Sequence, residues 1–105
     1  MSLRNIVRGN SVQWSATFYD MNGAITNPLN AFVDVDYYVT ATTQTTISLS
    51  MTQSGNTWSV VWDSSQAVAG VTTQVYWHLR SLAAAGIKSA FDGSFMLTAN
   101  VSNTV

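Results

Sequence analysis

From Ser11 to Asp20 the chain alternates between two phases. Val12, Trp14, Ala16 and Phe18 fall on one phase, and Gln13, Ser15, Thr17 and the following Tyr19 on the other. A period of two is the signature of a strand with one buried face; a helix would scatter the same residues around its axis. The pattern recurs at Phe32–Ala41, where Val33, Val35, Tyr37 and Val39 oppose Asp34, Asp36 and Tyr38. Thr45–Gln53 sets Ile47, Leu49 and Met51 against hydroxyls, and Thr57–Asp63 aligns Trp58, Val60 and Trp62. Val71–Arg80 places Thr73, Val75, Trp77 and Leu79 opposite Gln74, Tyr76, His78 and Arg80. Ala90–Val101 aligns Phe91, Gly93, Phe95, Leu97, Ala99 and Val101.

Turn chemistry separates these runs. Asp20-Met-Asn-Gly, Thr42 to Gln44 and Ser54-Gly-Asn supply residues that accept positive φ or bond forward to the backbone. Leu82 to Lys88, rich in alanine, is expected to be a loop or short helical turn. With a short strand from Leu3 to Arg8 there are seven strands, each with one apolar face. That predicts an all-β fold, an antiparallel β-sandwich, with a small barrel as the alternative. The expected core is Trp14, Phe18, Val35, Tyr37, Leu49, Trp58, Trp62, Val75, Trp77, Phe95 and Leu97. At 105 residues the chain is long enough for one such core, so 1–105 reads as a single domain.

Charged residues make up only 9% of the chain, far below the roughly 25% usual in soluble domains. The polar share comes from 13 Ser and 13 Thr, with Asn and Gln. A surface so poor in charge is weakly protected against association, which points to contact with other subunits. The alternative is a monomer with a Ser/Thr-rich surface. A net charge of −1 gives no steering toward nucleic acid or an anionic membrane, and Arg4, Arg8, Arg80 and Lys88 are too dispersed for a nucleic-acid groove. With no cysteine there is no disulfide framework, thiolate metal site or cysteine nucleophile. No apolar run reaches the ~18 residues of a membrane span. MSLRNIVRG lacks the apolar core of a signal peptide, so synthesis in the cytoplasm is expected.

Three constellations bear on chemistry. Ser64 or Ser65 with His78 and an aspartate would make a nucleophilic set, but no Gly-x-Ser-x-Gly elbow surrounds either serine. Asp63-Ser-Ser-Gln reads better as a cap, with Asp63 accepting backbone N–H groups and Gln66 reaching back. Asp34 and Asp36 share a strand face and invite a calcium site with Asp20 or Asp92, yet calcium takes six to eight oxygens and no binding-loop spacing is present. Four tryptophans suggest a sugar platform, but all lie on the apolar phase and read as core. The chain is therefore expected to be non-enzymatic, without a cofactor.

GNSVQWSATFYDMNGAITNP, followed by GNTWSVVWDSS, VYWHLRS and GSFMLTAN, resembles small immunoglobulin-like modules of tailed-bacteriophage structural proteins. The elements concerned are Gly9-Asn10 before the first long strand, Asp20 to Gly23 and Pro28 after it, Gly55 to Trp58 and Gly93 to Leu97. The resemblance implies an immunoglobulin-like sandwich and a structural role in a virion: head decoration, neck, baseplate or tail. Partners would then be other virion proteins or copies of the chain, and the site of action the virion, after synthesis in the host cytoplasm. Residues 1–9 would serve as an N-terminal arm anchored by Arg4 and Arg8, and 102–105 as a short tail. Interface candidates are Arg4, Arg8, Tyr19, Tyr38, Tyr76, His78 and Arg80. A carbohydrate-binding or adhesion module is the competing reading, and it requires exposed tryptophan.

Overall fold

A computed structural model of the chain describes residues 4–83 and 86–98. Among the described residues eight strands run β1 (Arg4–Val7), β2 (Ser11–Ala16), β3 (Asn30–Tyr38), β4 (Gln44–Ser50), β5 (Thr52–Ser54), β6 (Thr57–Asp63), β7 (Thr73–Ala83) and β8 (Gly86–Thr98). They form two open sheets, one of order β1-β8-β7-β3-β4 and one of order β2-β6-β5. All pairings are antiparallel except β1 with β8, so the larger sheet is mixed. No helix among the described residues is long and apolar enough to cross a membrane. The fold is all-β, as alternation predicted.

The sheets face each other through the expected phase. Trp14 from the smaller sheet meets Trp77 edge-on and Phe95 tilted, at centroid distances of 6.0 and 6.5 Å. Trp62 lies 5.1 Å from Tyr37 across the same gap. Val33, Val35 and Val75 are fully buried. Each such side chain contributes about 1.5–3 kcal/mol by leaving water. Phe18, Leu49 and Trp77, all expected inside, are only partly buried against this core. Val39, on the apolar phase of β3, lies beyond the strand's end and is exposed.

Three boundaries depart from the sequence reading. Thr45–Gln53 is not one strand: the alternation runs on, but the backbone changes sheet at Met51, giving β4 to one layer and β5 to the other. The Met51 side chain is buried at this crossing while its N–H donates to the Ala31 carbonyl at 2.9 Å. Leu82 to Lys88 is neither loop nor helical turn in its described part. The backbone pairs Ser81 with Lys88, Leu82 with Ile87 and Ala83 with Gly86, so β7 and β8 form one long hairpin. Ala and Gly have low strand propensity, and the pairing partner overrides it. The strand begun at Ser11 ends at Ala16, because the chain then curls back. Asp20 donates its N–H to Ala24, and Thr26 to Phe18.

The turns follow their chemistry. Asp20 Oδ1 accepts from the N–H groups of Asn22 and Ala24, and Gly23 takes φ +84°. Gly55-Asn56 closes β5 onto β6 with Gly55 at φ +62° and Asn56 at ordinary φ, the pattern of a glycine-first two-residue hairpin turn. Residues 4–7, inside the stretch expected as an arm, pair with β8 of the same chain. The expected tail, 102–105, lies outside the described residues.

Candidate interaction surfaces

The outward face of the larger sheet gathers the polar phase of four strands. Register sets Ser48, Asp34, His78 and Asp92 in one cross-strand row, and Thr46, Asp36, Tyr76 and Ser94 in the next. Arg80 donates from Nε to Asp34 Oδ2 at 2.7 Å and from Nη2 to Oδ1 at 3.3 Å, while its guanidinium stacks 4.5 Å above the Phe32 ring. Ser48 donates to Asp34 at 2.6 Å, and Thr46 donates to Asp36. His78 Nδ1 pairs with Asp92. The Tyr76 hydroxyl donates to Gln74 at 3.0 Å. A shallow depression of about 300 Å³ opens among Asp34, Asp36, Tyr76, His78 and Asp92.

Burial pushes the Asp34 pKa upward, but the hydrogen bonds from Arg80 and Ser48 outweigh it and hold the carboxyl below its ordinary 3.8. A depressed folded-state pKa stabilises the fold above the unfolded-state value, and that stabilisation is lost as pH falls through the folded-state value. Asp34→Asn is therefore expected to lower stability by ~1 kcal/mol near neutrality, the scale of a partly exposed ion pair. The difference from the unchanged chain should begin to shrink as pH falls past the ordinary 3.8 and vanish only below the depressed folded-state value, where the carboxyl of the unchanged chain is itself protonated. Urea titrations at neutral and acid pH measure both.

Asp34 and Asp36 share a face as predicted, but they do not assemble a cation site. Among the described residues no group of three or more His, Asp or Glu side chains is placed to hold a metal ion. Asp20 spends Oδ1 on its own turn, and Asp92 faces His78. The nucleophilic set is likewise not brought together. Ser64 is fully buried, donating to the Asn10 carbonyl at 2.6 Å and accepting from the Gly9 N–H at 2.9 Å. Ser65 donates to Asp63 at 2.7 Å. Asp63 caps the short 3₁₀ turn Ser64–Gln66 as expected, and the side-chain and backbone bonds from Ser65 draw its pKa down. Gln66 does not reach back to complete a capping box; its Oε1 accepts from Trp62 Nε1 at 3.0 Å instead.

The remaining candidates separate. Arg8 clips β1 to this turn, donating to the carbonyls of Ala67 at 2.7 Å and Ser65 at 2.6 Å. Arg4 begins β1, and its side chain lies outside the described residues. Tyr38 is half-buried at the end of β3. Tyr76 and Tyr19 are exposed.

Tyr19 leads to a surface that alternation does not reveal. The connection between β2 and β3 exposes Tyr19 by 61%, Met21 by 101%, Ile25 by 49% and Leu29 by 65%. Tyr19 and Ile25 form a bridge, so their side chains are neighbours, with Met21 in the turn between them. The connection is held in place: Trp58 Nε1 donates to Asn27 Oδ1 at 3.1 Å, and Asn27 Nδ2 donates to Asn56 at 3.0 Å. Met21, Ile25 and Leu29 were missed because a turn-rich segment has no phase to violate. The available signal was four large apolar residues where small polar ones suffice.

No family model, curated protein or solved structure matches this chain. The surfaces themselves therefore carry the functional reading. The tryptophans support no sugar platform: Trp14, Trp58 and Trp62 are buried, and Trp77 is half-buried with its indole against Trp14.

Proposed function

We propose that the chain is a non-enzymatic assembly protein acting through protein–protein contacts, and that its two layers are an immunoglobulin-like variant of the β-sandwich. The observation that carries this is that four large apolar side chains, Tyr19, Met21, Ile25 and Leu29, are exposed along the one connection between β2 and β3, which Asn27 ties to the body of the domain. Large apolar groups that are exposed together on a fixed segment mark contact sites. The hydroxyl and carboxylate groups that would serve catalysis are engaged in turns, caps and cross-strand bonds. The resemblance to phage structural modules supplies the setting: a virion, with neighbouring virion proteins or further copies as partners.

The test is mass spectrometry of purified particles made from the genome that encodes the chain. Its presence at a fixed ratio to the other structural proteins is expected. Particles complete without it would overturn the reading. Met21→Asp together with Leu29→Asp should leave the unfolding midpoint of the isolated chain unchanged, since both positions are exposed, and should cut incorporation into particles at least tenfold. Incorporation at the unchanged level would remove the apolar cluster as the contact.

A further inference from the structure

The four outer strands of the two sheets are not alike. β1 has four residues and is followed by the clipped Arg8, and β5 has three residues. The part of β8 not paired by β1, 86–94, carries Lys88 and Asp92. Along β2 the inward Val12 and Trp14 are buried, 6% and 8% exposed, so the opposite layer covers that edge. β4 shares its lack of charge, proline and glycine with β2 and β5, but it is the longest of the four outer strands. It has seven residues, QTTISLS, with no charge, proline or glycine, and it pairs with β3 from Gln44 to Ser50 without a shift in register. Edges that avoid self-pairing carry charge, proline or a bulge.

The inward side of β4 is also incompletely covered. Val33 and Val35, its neighbours on β3, are 0% exposed, whereas Ile47 and Leu49 are only half-buried. The smaller sheet stops short of this edge. Among the described residues, both a row of backbone donors and acceptors and a row of partly covered apolar side chains therefore end here.

We infer that the β4 edge pairs with the β4 edge of a second copy, antiparallel about a two-fold axis through Ile47, joining two five-stranded sheets into one. The strand fits itself in this register. Ile47 meets Ile47, Thr45 meets Leu49, Thr46 meets Ser48, and Gln44 meets Ser50, so apolar faces apolar or a threonine methyl inside, and polar faces polar outside. No charged side chain of β4 opposes another, which removes the usual penalty of like charges directly across a sheet. Because the smaller sheet stops short, the covering layers of the two copies have room on the same side. A copy of the chain is favoured over a charged partner strand because, in this register, every residue of the uncharged β4 meets another uncharged residue on its own face. Seven residues a side is well under the roughly 20–30 of a standard interface, so the pairing is a weak, concentration-dependent dimer. The inference deepens the assembly reading by naming one partner and one edge, and rests on it only in treating the chain as a contact protein.

Sedimentation equilibrium on the full chain from micromolar to millimolar concentration is expected to show one-chain mass rising to two-chain mass, and no further. Gln44→Lys with Ser50→Lys sets like charges opposite each other at both ends of the paired strands. Gln44→Glu with Ser50→Lys sets opposite charges there. Both positions are exposed, and matching circular dichroism and unfolding midpoints confirm that the variants fold. The first pair of substitutions is expected to dimerise about tenfold more weakly than the second. A chain of one-chain mass at millimolar concentration, open-ended growth past two, or equal dimerisation of the two variants would overturn the inference. None of these results bears on whether the chain is found in particles, so the assembly reading is decided separately.

Discussion

Replacing Trp62 with alanine is expected to remove a large share of the domain's stability and to shift its unfolding midpoint strongly downward. The indole is 1% exposed, meets the Tyr37 ring in a tilted contact across the two layers, and donates from Nε1 to Gln66 on the turn that follows β6. Removing a large buried aromatic costs about 3–5 kcal/mol, through lost transfer energy and the cavity left behind. Domains of this size are stable by only about 5–15 kcal/mol in total. The Trp62→Ala change also leaves Gln66 without its donor, and the 3₁₀ turn that Arg8 clips loses one of its links to the core. Urea unfolding followed by the remaining tryptophan fluorescence measures the loss. A midpoint within experimental error of the unchanged chain would mean that the two sheets do not depend on this contact.

Gly93→Ala is expected to be the next most damaging change, although it adds only one methyl group. A Cβ at position 93 would lie 2.5–2.8 Å from three atoms of the Trp77 indole. Gly93 pairs directly with Trp77 across β7 and β8, and the indole lies over the glycine in the space a side chain would fill. The ring is far too large to yield by a few tenths of an ångström while it also meets Trp14 edge-on. Overpacking of this kind costs about 1–3 kcal/mol. The substitution should lower the thermal midpoint and change the tryptophan emission, because Trp77 is displaced from Trp14. The double change Gly93→Ala with Trp77→Leu should recover part of the loss, since the smaller side chain makes room. Failure of that rescue, with Gly93→Ala damaging alone, would place the cost elsewhere than in the indole.

Alternation made the strands and the inward phase legible, because a period of two is imposed wherever one face is buried. It exposed Trp14, Trp58 and Trp62 as core and Asp20–Gly23 as a turn. What it does not carry is the choice of partner strand. The same continuous pattern crosses from one sheet to the other at Met51, so a single strand was expected where there are two. The Asp34–Arg80 and His78–Asp92 pairs were hidden for the same reason, since register between β3, β7 and β8 depends on the whole fold. Nor does alternation report where a covering layer ends, which is why Leu49 read as core. The apolar surface of the β2–β3 connection lies in a turn segment, which has no alternation to assign Met21 or Leu29 to a face.

The parallel pairing of β1 with β8 has a mechanical consequence. Arg4 lies opposite Phe95 and Val7 opposite Thr98, and the Arg8 N–H extends the ladder to the Thr98 carbonyl at 3.1 Å. Because the two strands run in the same direction, residue 4 and residue 98 sit at opposite ends of the pairing. Tension applied between them along the strands loads the backbone bonds in shear, all at once, instead of peeling them open one by one. Forced unfolding is governed by the unfolding rate rather than by equilibrium stability. This short terminal clamp therefore gives the domain a resistance to stretching beyond what its modest length suggests.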